Sequence, residues 1–439
     1  MFWLPLYRLT TELGTPLIRG VLKKRMERGR EDPERVTERY GQASRERPAG
    51  KLLWLHGASV GEAVSVLPLI AALRERRPEV GILMTTGTVT SARLMAQRLP
   101  EGVIHQFVPL DRLSWVRRFL DHWRPDAALW VESELWPNLL SEAQERQIPL
   151  ALVNARMSPG SFKNWRRLPG GLKSLLSAFE LCLAQDDAQA ERLRTLGAPK
   201  VLSVGNLKYA AEALPCDQSE LSGLWEKIGR RPLWLAASTH PGEEEQLAEA
   251  HGQLREEHPG LLTLLVPRHA ERGDAIAKLL GDRGLYVAQR SRGEEPDGET
   301  DVFLADTMGE LGLFYRLSEI AFVGGSLVPH GGQNPLEPAR LEAAILHGPH
   351  MQNFAPIVEA LDQAGGARQV ADASELADAL HQLLNDSGKR RRMAEAARAV
   401  ASAQEDVLER VLDALAPLLD RALGPAPGAR VPLKTAAKP

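Results

Sequence analysis

From Lys51 onward, short apolar runs alternate with stretches whose hydrophobic residues recur every three or four positions. Leu52 to Leu55 is the first run and stops at His56-Gly57; a helix is then predicted over Glu62–Arg76, carrying Val66, Leu69, Ile70 and Leu73 on one face. Val80 to Met84 is the second run, followed by the turn Thr85-Thr86-Gly87-Thr88 and a helix from Ser91 to Leu99. Asp126–Val131, Leu150–Val153, Leu181–Ala184 and Lys200–Val204 continue the series. Periodicity breaks at Ala210 to Ser219, around Pro215, and then restarts with Leu233–Ala237, Leu261–Val266, Val302–Ala305, Ile320–Val323 and Ala344–Leu346. Runs this uniformly apolar suit strands buried on both faces, so the pattern predicts an α/β protein with parallel sheets covered by helices. Two doubly wound halves are expected, with ligand at the carboxyl ends of the strands in a cleft between them.

The first 30 residues follow a different rule. Leu6, Leu9, Leu13 and Leu17 are spaced by three or four, with Arg8, Glu12, Thr15 and Arg19 between them, as on an amphipathic helix. Pro5 and Pro16 interrupt it, which predicts a kinked or two-part element. Lys23, Lys24, Arg25, Arg28 and Arg30 follow, so that seven bases stand against Glu12 and Glu27 over residues 1–30. The segment is too polar for a transmembrane helix and lacks the small-residue cleavage site of a signal peptide. It reads as an element lying on an anionic membrane surface, or else as a helix docked on the protein's own core. At the other end, residues 425–439 are rich in Pro, Ala, Gly and Lys and are expected to be disordered.

Composition narrows the function. The chain has 439 residues and a formal charge of −3, which argues against a nucleic-acid binder. Cys182 and Cys216 are its only cysteines and have no metal-ligand spacing, so a cysteine-based zinc site and a disulfide framework are excluded. The expected domains are the amphipathic basic segment (1–30), a first doubly wound half (31–212), a second (213–424) and the tail (425–439).

Candidate chemistry sits where apolar runs end. His56-Gly57-Ala58-Ser59-Val60-Gly61-Glu62 is neither a dinucleotide fingerprint nor a phosphate loop of the Walker type; it places Glu62 at a helix start, where a carboxylate stays ionised and can accept a proton from a hydroxyl. Glu132 and Glu134 follow the run ending at Val131, and Lys208 follows the one ending at Val204. Each of these residues also fits a plain capping or surface role. In the second half, Arg268-His269 closes one run and Asp306-Thr307-Met308-Gly309-Glu310 another, with Asp306 or Thr307 the expected helix cap. Val323–Pro338 crowds glycine and proline before Asn334-Pro335-Leu336-Glu337, which reads as a turn delivering backbone N–H groups to a phosphate at a helix start. Six such loops, all at the ends of apolar runs, point to one site.

Taken together and in order, HGASVGE, TTGTVTS, ESELWPN, NLK, PRH, DTMGEL and GGSLVPHGGQNPLEP resemble the 3-deoxy-D-manno-octulosonic acid (Kdo) transferases of lipopolysaccharide synthesis, over most of the chain. The resemblance implies a two-domain glycosyltransferase of the GT-B type at the cytoplasmic face of a Gram-negative inner membrane, peripheral or monotopic. It implies CMP-Kdo as donor, the lipid A precursor lipid IVA as acceptor, inversion at the sugar, and neither metal nor cofactor. By position, Glu62 would be the general base. Glu132 or Glu134, together with Lys208, would stabilise the transition state or the substrate, and Ser59 and Gly61 would lie against substrate with Glu134. CMP would be held by Arg268, His269, Met308, Gly309, Glu310, Asn334, Pro335, Leu336 and Glu337. The rivals are another GT-B enzyme using a UDP-sugar, a sugar-nucleotide epimerase, and a non-catalytic membrane-surface protein.

Overall fold

The computed structural model describes residues 3–166, 171–210, 213–403 and 406–427. The expected tail therefore lies, from residue 428 on, outside the described residues. Fourteen strands run in chain order as β1 (Leu52–His56), β2 (Gly81–Thr86), β3 (Val103–Phe107), β4 (Ala127–Val131), β5 (Leu150–Ala155), β6 (Leu181–Ala184) and β7 (Val201–Ser203), then β8 (Leu233–Thr239), β9 (Leu262–Pro267), β10 (Val287–Gln289), β11 (Val302–Leu304), β12 (Ile320–Val323), β13 (Ala344–His347) and β14 (Ala367–Gln369). They form two seven-stranded sheets, ordered β3-β2-β1-β4-β5-β6-β7 and β10-β11-β9-β8-β12-β13-β14. Every strand pairing is parallel. Each sheet is doubly wound, with the winding changing direction at its centre, between β1 and β4 in the first and between β8 and β12 in the second, where β10 and β11 are also transposed at the edge.

Alternation along each strand explains why the runs are apolar throughout. Leu52 and Trp54 face one core, with Phe119, Trp123 and Trp130; Leu53 and Leu55 face the other, with Leu69, Ile70 and Leu73. The second sheet repeats this with Trp234 and Ala236 on one side, Leu235 and Ala237 on the other.

The chain divides into two compact units, Met1–Ala211 with Asp406–Pro439, and Glu212–Glu405. Residues 406–424, expected in the second half, belong to the first. The helix Val407–Leu423 buries Val407, Val411, Leu412, Leu415, Leu418, Leu419 and Leu423 in the core on the Leu53 side of the first sheet. Its apolar stripe is the reason it returns there.

Two other expectations change in detail. The predicted helix Glu62–Arg76 is two, Val60–Ser65 and Leu67–Arg76, separated at Val66, because Pro68 cannot donate a backbone hydrogen bond inside a continuous helix but fits the first turn of a new one. At the N-terminus there are likewise two helices, Leu4–Leu13 and Thr15–Glu27, each with a proline in its first turn. Tyr7 Oη donates to Asp111 Oδ2 (2.9 Å) and Arg8 pairs with Glu142 and Glu145, fixing one side of this segment to the first unit. Leu4 and Leu22 are buried, whereas Leu6, Leu9, Leu13, Leu17 and Val21 are between 50% and 74% exposed. Among the described residues no helix is long and apolar enough to cross a membrane.

Candidate active site

In the first unit the loops after β1 and β4 flank the point where strand order reverses, the usual ligand position of an open doubly wound sheet. Ser59 caps the helix Val60–Ser65: its Oγ accepts the Glu62 N–H (3.3 Å) and donates to Glu62 Oε1 (3.0 Å). The Ala58 N–H donates to Glu62 Oε2 at 2.7 Å. The loop is kept tight against the next strand by Gly87, where a Cβ would meet Ala58 O at 2.8 Å. Gly61 lies in the first turn of the helix.

Glu62 is 9% exposed, and burial raises its pKa to about 7, with Glu132 and, less strongly, Glu134 adding to the rise while Ala58 and Ser59 oppose it. Glu134 is itself raised, mainly by burial. Lys208 is lowered by burial and by Arg156, against the pull of Glu132 and Glu62. The structure thus brings Glu62, Glu132, Glu134 and Lys208 into one electrostatic group, where three carboxyls face two cations.

Backbone geometry builds this group. Glu132 has φ +59°, a left-handed conformation rare for a residue with a side chain, and its N–H donates to Val153 O at 3.0 Å. Asn154, buried at the end of β5 with φ +52°, accepts the Leu207 N–H on Oδ1 (3.0 Å) and so ties the Lys208 turn to the strand end. Arg156 and Asn154 escaped the sequence reading. A polar Asn closing an apolar run was their only signal.

In the second unit, Arg268 and His269 follow β9 and are exposed, Met308 to Glu310 follow β11, and Asn334 to Glu337 follow β12. All three segments lie at carboxyl ends of strands. Gly309 (φ +89°) and Glu310 line a shallow hollow with Pro215, Cys216, Asp217 and Leu313. The Glu310 carboxylate is bound by Arg290 and Thr307, which hold its pKa down, so Glu310 can meet a ligand with its backbone but not with a free carboxylate. Glu310, rather than Asp306 or Thr307, stands at the N-cap position of the helix Leu311–Leu317, without a side-chain capping bond; Asp306 instead accepts hydrogen bonds from Gln289 and Ser291. Asn334 Oδ1 accepts the Leu336 N–H (3.2 Å), and the helix that follows, Leu336–Arg340, is a single short turn and a half. Among the described residues, no group of three or more His, Cys, Asp or Glu side chains is placed to hold a metal ion.

Two doubly wound parallel domains, each with polar residues at its strand ends, are the architecture of GT-B glycosyltransferases and of sugar-nucleotide epimerases. The fold resembles that of UDP-GlcNAc 2-epimerase from Neisseria meningitidis bound to UDP-GlcNAc (TM-score 0.54, 14% identity, 83% of this chain and 100% of that one). It equally resembles a glycosyltransferase from Rickettsia africae (TM-score 0.54, 12% identity, 85% and 99%). Residues 34–211 match the family model described as 3-deoxy-D-manno-octulosonic-acid transferase (kdotransferase). The chain is 38% identical to the 3-deoxy-D-manno-octulosonic acid transferase of Haemophilus influenzae, over 88% of its own length and 92% of that relative. It is also 38% identical to the probable mitochondrial 3-deoxy-D-manno-octulosonic acid transferase of Arabidopsis thaliana, over 87% and 88%. The chain belongs to the Kdo transferase family and is a glycosyltransferase.

Proposed function

We propose that the enzyme moves Kdo from CMP-Kdo to a sugar hydroxyl of lipid IVA in lipopolysaccharide synthesis, with inversion, at the cytoplasmic face of a Gram-negative inner membrane, and without a metal or other cofactor. The observation that carries this reading is the Glu62 carboxyl, aimed by Ala58 and Ser59 and poised near pH 7. A base titrating near the working pH combines a useful ionised fraction with real proton affinity. Glu62 takes the proton of the acceptor hydroxyl as its oxygen bonds to the anomeric carbon, and the bond from that carbon to the phosphate oxygen breaks to release CMP. A single displacement of this kind requires one carboxylate base.

Glu132 and Lys208 fit the roles of electrostatic partners to the reacting groups, and Ser59, Gly61 and Glu134 are the proposed acceptor contacts. Arg268 and His269, the backbone at Met308–Glu310, and the turn Asn334–Glu337 are the proposed CMP contacts, with cations and amides placed to meet the charge that grows on the departing phosphate. The exposed stripe Leu6, Leu9, Leu13, Leu17 and Val21, with exposed Arg19, Lys23, Lys24 and Arg28 beside it, has the chemistry of a helix face seated in an anionic leaflet where a lipid acceptor resides.

The test is mass analysis of lipid IVA after incubation with CMP-Kdo and the enzyme. The wild type should add Kdo, and Glu62→Gln should lower turnover by roughly a hundredfold or more with CMP still bound. Unchanged turnover in that variant removes Glu62 as the base. A thermal shift produced by UDP and not by CMP overturns the donor assignment.

A further inference from the structure

The second sheet reverses its strand order between β8 and β12, so the loops after these strands flank the crevice of the second unit. Both loops carry a histidine to which the motifs gave no role. The rings of His240 and His330 are stacked, with centroids 3.7 Å apart and planes inclined by 28°. His269, after β9, sits edge-on to His240 at 5.9 Å. His240 is buried and His330 is exposed. Gly325 makes room for the pair: its φ is +68°, and a Cβ there would lie 3.1 Å from His240 Cδ2 and 3.5 Å from His330 Nδ1.

The charges around His240 are unbalanced. From the loop after β9 it is faced by Arg268, His269 and Arg272, and from the loop after β12 by His330 and the neutral Gln333. On its own loop the nearest acid is Glu243, whose carboxylate is consumed by the backbone N–H groups of His240, Gly325, Ser326 and Leu327. Arg272 is matched by Glu244 through two hydrogen bonds of 2.8 and 3.0 Å, and His269 has Glu271 at 3.7 Å. Among the described residues no carboxylate bonds to either stacked ring. Burial and then these cationic neighbours hold His240 down to about 4. Gln333 Nε2 lies 2.9 Å from His240 Nε2, and a turned amide would present its oxygen to a protonated ring equally well.

We infer that His240 and His330, with Arg268, form an anion subsite that takes a charged group of the donor, and that His240 gains a proton as the anion arrives. This rests on the donor reading above. The group is either the nucleotide phosphate or the carboxylate of the sugar, since both are anionic oxygens that imidazolium and guanidinium groups recognise alike. An anion beside His240 supplies the missing counter-charge and raises its proton affinity. Binding is then linked to proton uptake, and affinity strengthens by up to about tenfold per unit fall in pH.

The experiment is calorimetric titration of the whole protein with CMP and with cytidine, at about pH 6 and about pH 8, in buffers of different ionisation heat. The KM for CMP-Kdo is measured alongside. The wild type should bind its donor group with proton uptake and more tightly at the lower pH. If the phosphate is the ligand, His240→Gln weakens CMP by about tenfold or more, abolishes the uptake and leaves cytidine binding unchanged. If the carboxylate is the ligand, His240→Gln leaves CMP unaltered but raises the KM for CMP-Kdo and removes its pH dependence. Should His240→Gln lose cytidine binding as well, the exposed His330→Gln decides by the same readings. The subsite is overturned if both variants keep wild-type CMP affinity, proton uptake and KM. A wild type that binds UDP and not CMP breaks the donor reading instead, and the same series with UDP then decides the subsite.

Discussion

Glu62 carries a penalty that also makes it useful. Its carboxyl is pushed up to about 7 because burial and neighbouring carboxylates disfavour the charged form. An acid whose folded pKa lies above its unfolded value contributes stability only while protonated. The contribution of Glu62 to wild-type stability should therefore be fully present below about pH 4.5 and be lost as pH rises through about 7. The opposite holds for activity: kcat at saturating donor should climb with pH and level off above about 7, as the base ionises. Glu62→Gln separates the two. It should lose the rising limb of the rate profile, and its melting temperature should exceed that of the wild type at pH 8 by more than at pH 5. An equal difference at both pH values would mean that the carboxyl is not held up in the folded protein. The sequence indicates this residue, because Ser59-Val60-Gly61-Glu62 spells a helix cap after an apolar run. The elevated pKa was not legible, since it depends first on burial and then on Glu132 in a left-handed turn 70 residues away.

At the scale of elements, the fully buried strands were legible, and with them the edge strand β7, although its Leu202 and Ser203 are exposed. β3, β10 and β14 went unseen: His105 and Gln106, Gln289, and Arg368 with Gln369 interrupt their apolar character, and β3, β10 and β14 stand at sheet edges. The glycine-rich loop after β12 was visible as a turn, but what holds it was not. Glu243, wholly buried, accepts His240 N–H (2.9 Å) and Gly325 N–H (2.6 Å) on Oε2, and Ser326 N–H (2.9 Å) and Leu327 N–H (3.0 Å) on Oε1. One carboxylate thus fixes the loops after β8 and β12 together. A glutamate inside Pro-Gly-Glu-Glu-Glu looks like a solvated first-turn acid in sequence, and only tertiary structure turns it inward. Glu243→Gln exchanges an oxygen that accepts two of these amides for an NH2 that accepts none, leaving buried N–H groups unpaired at about 1–3 kcal/mol each. Its melting temperature and CMP affinity should both fall, while the Glu62-dependent limb of the rate profile stays in place. Unchanged CMP affinity would show that the loop's fixed shape does not matter to the donor.

Over the whole molecule, the chain order conceals which parts fold together. The second unit is continuous in sequence from Glu212 to Glu405, whereas the first is completed by a helix that arrives after it. That helix is anchored by Arg410 Nε donating to Val204 O (2.9 Å) and by Arg76 paired with Glu409 (2.6 Å), besides its apolar stripe. Seven of its aliphatic side chains are buried, and at roughly 1.5–3 kcal/mol for each the helix contributes on the order of 10 kcal/mol. That equals the whole net stability of an ordinary domain, about 5–15 kcal/mol, so the first unit should not survive without it. A fragment of residues 213–403 is expected to melt cooperatively on its own. A fragment of residues 1–210 is expected to be aggregated or to lack a melting transition, and to regain one when a peptide of residues 406–424 is added. Leu415→Ala in the full chain, at a fully buried position, should destabilise by about 2–5 kcal/mol and lower the melting of the first unit while sparing the second. Autonomous, cooperative folding of residues 1–210 would show that the sheet needs no cover on that face. In that case the returning helix would be a passenger rather than a part of the core.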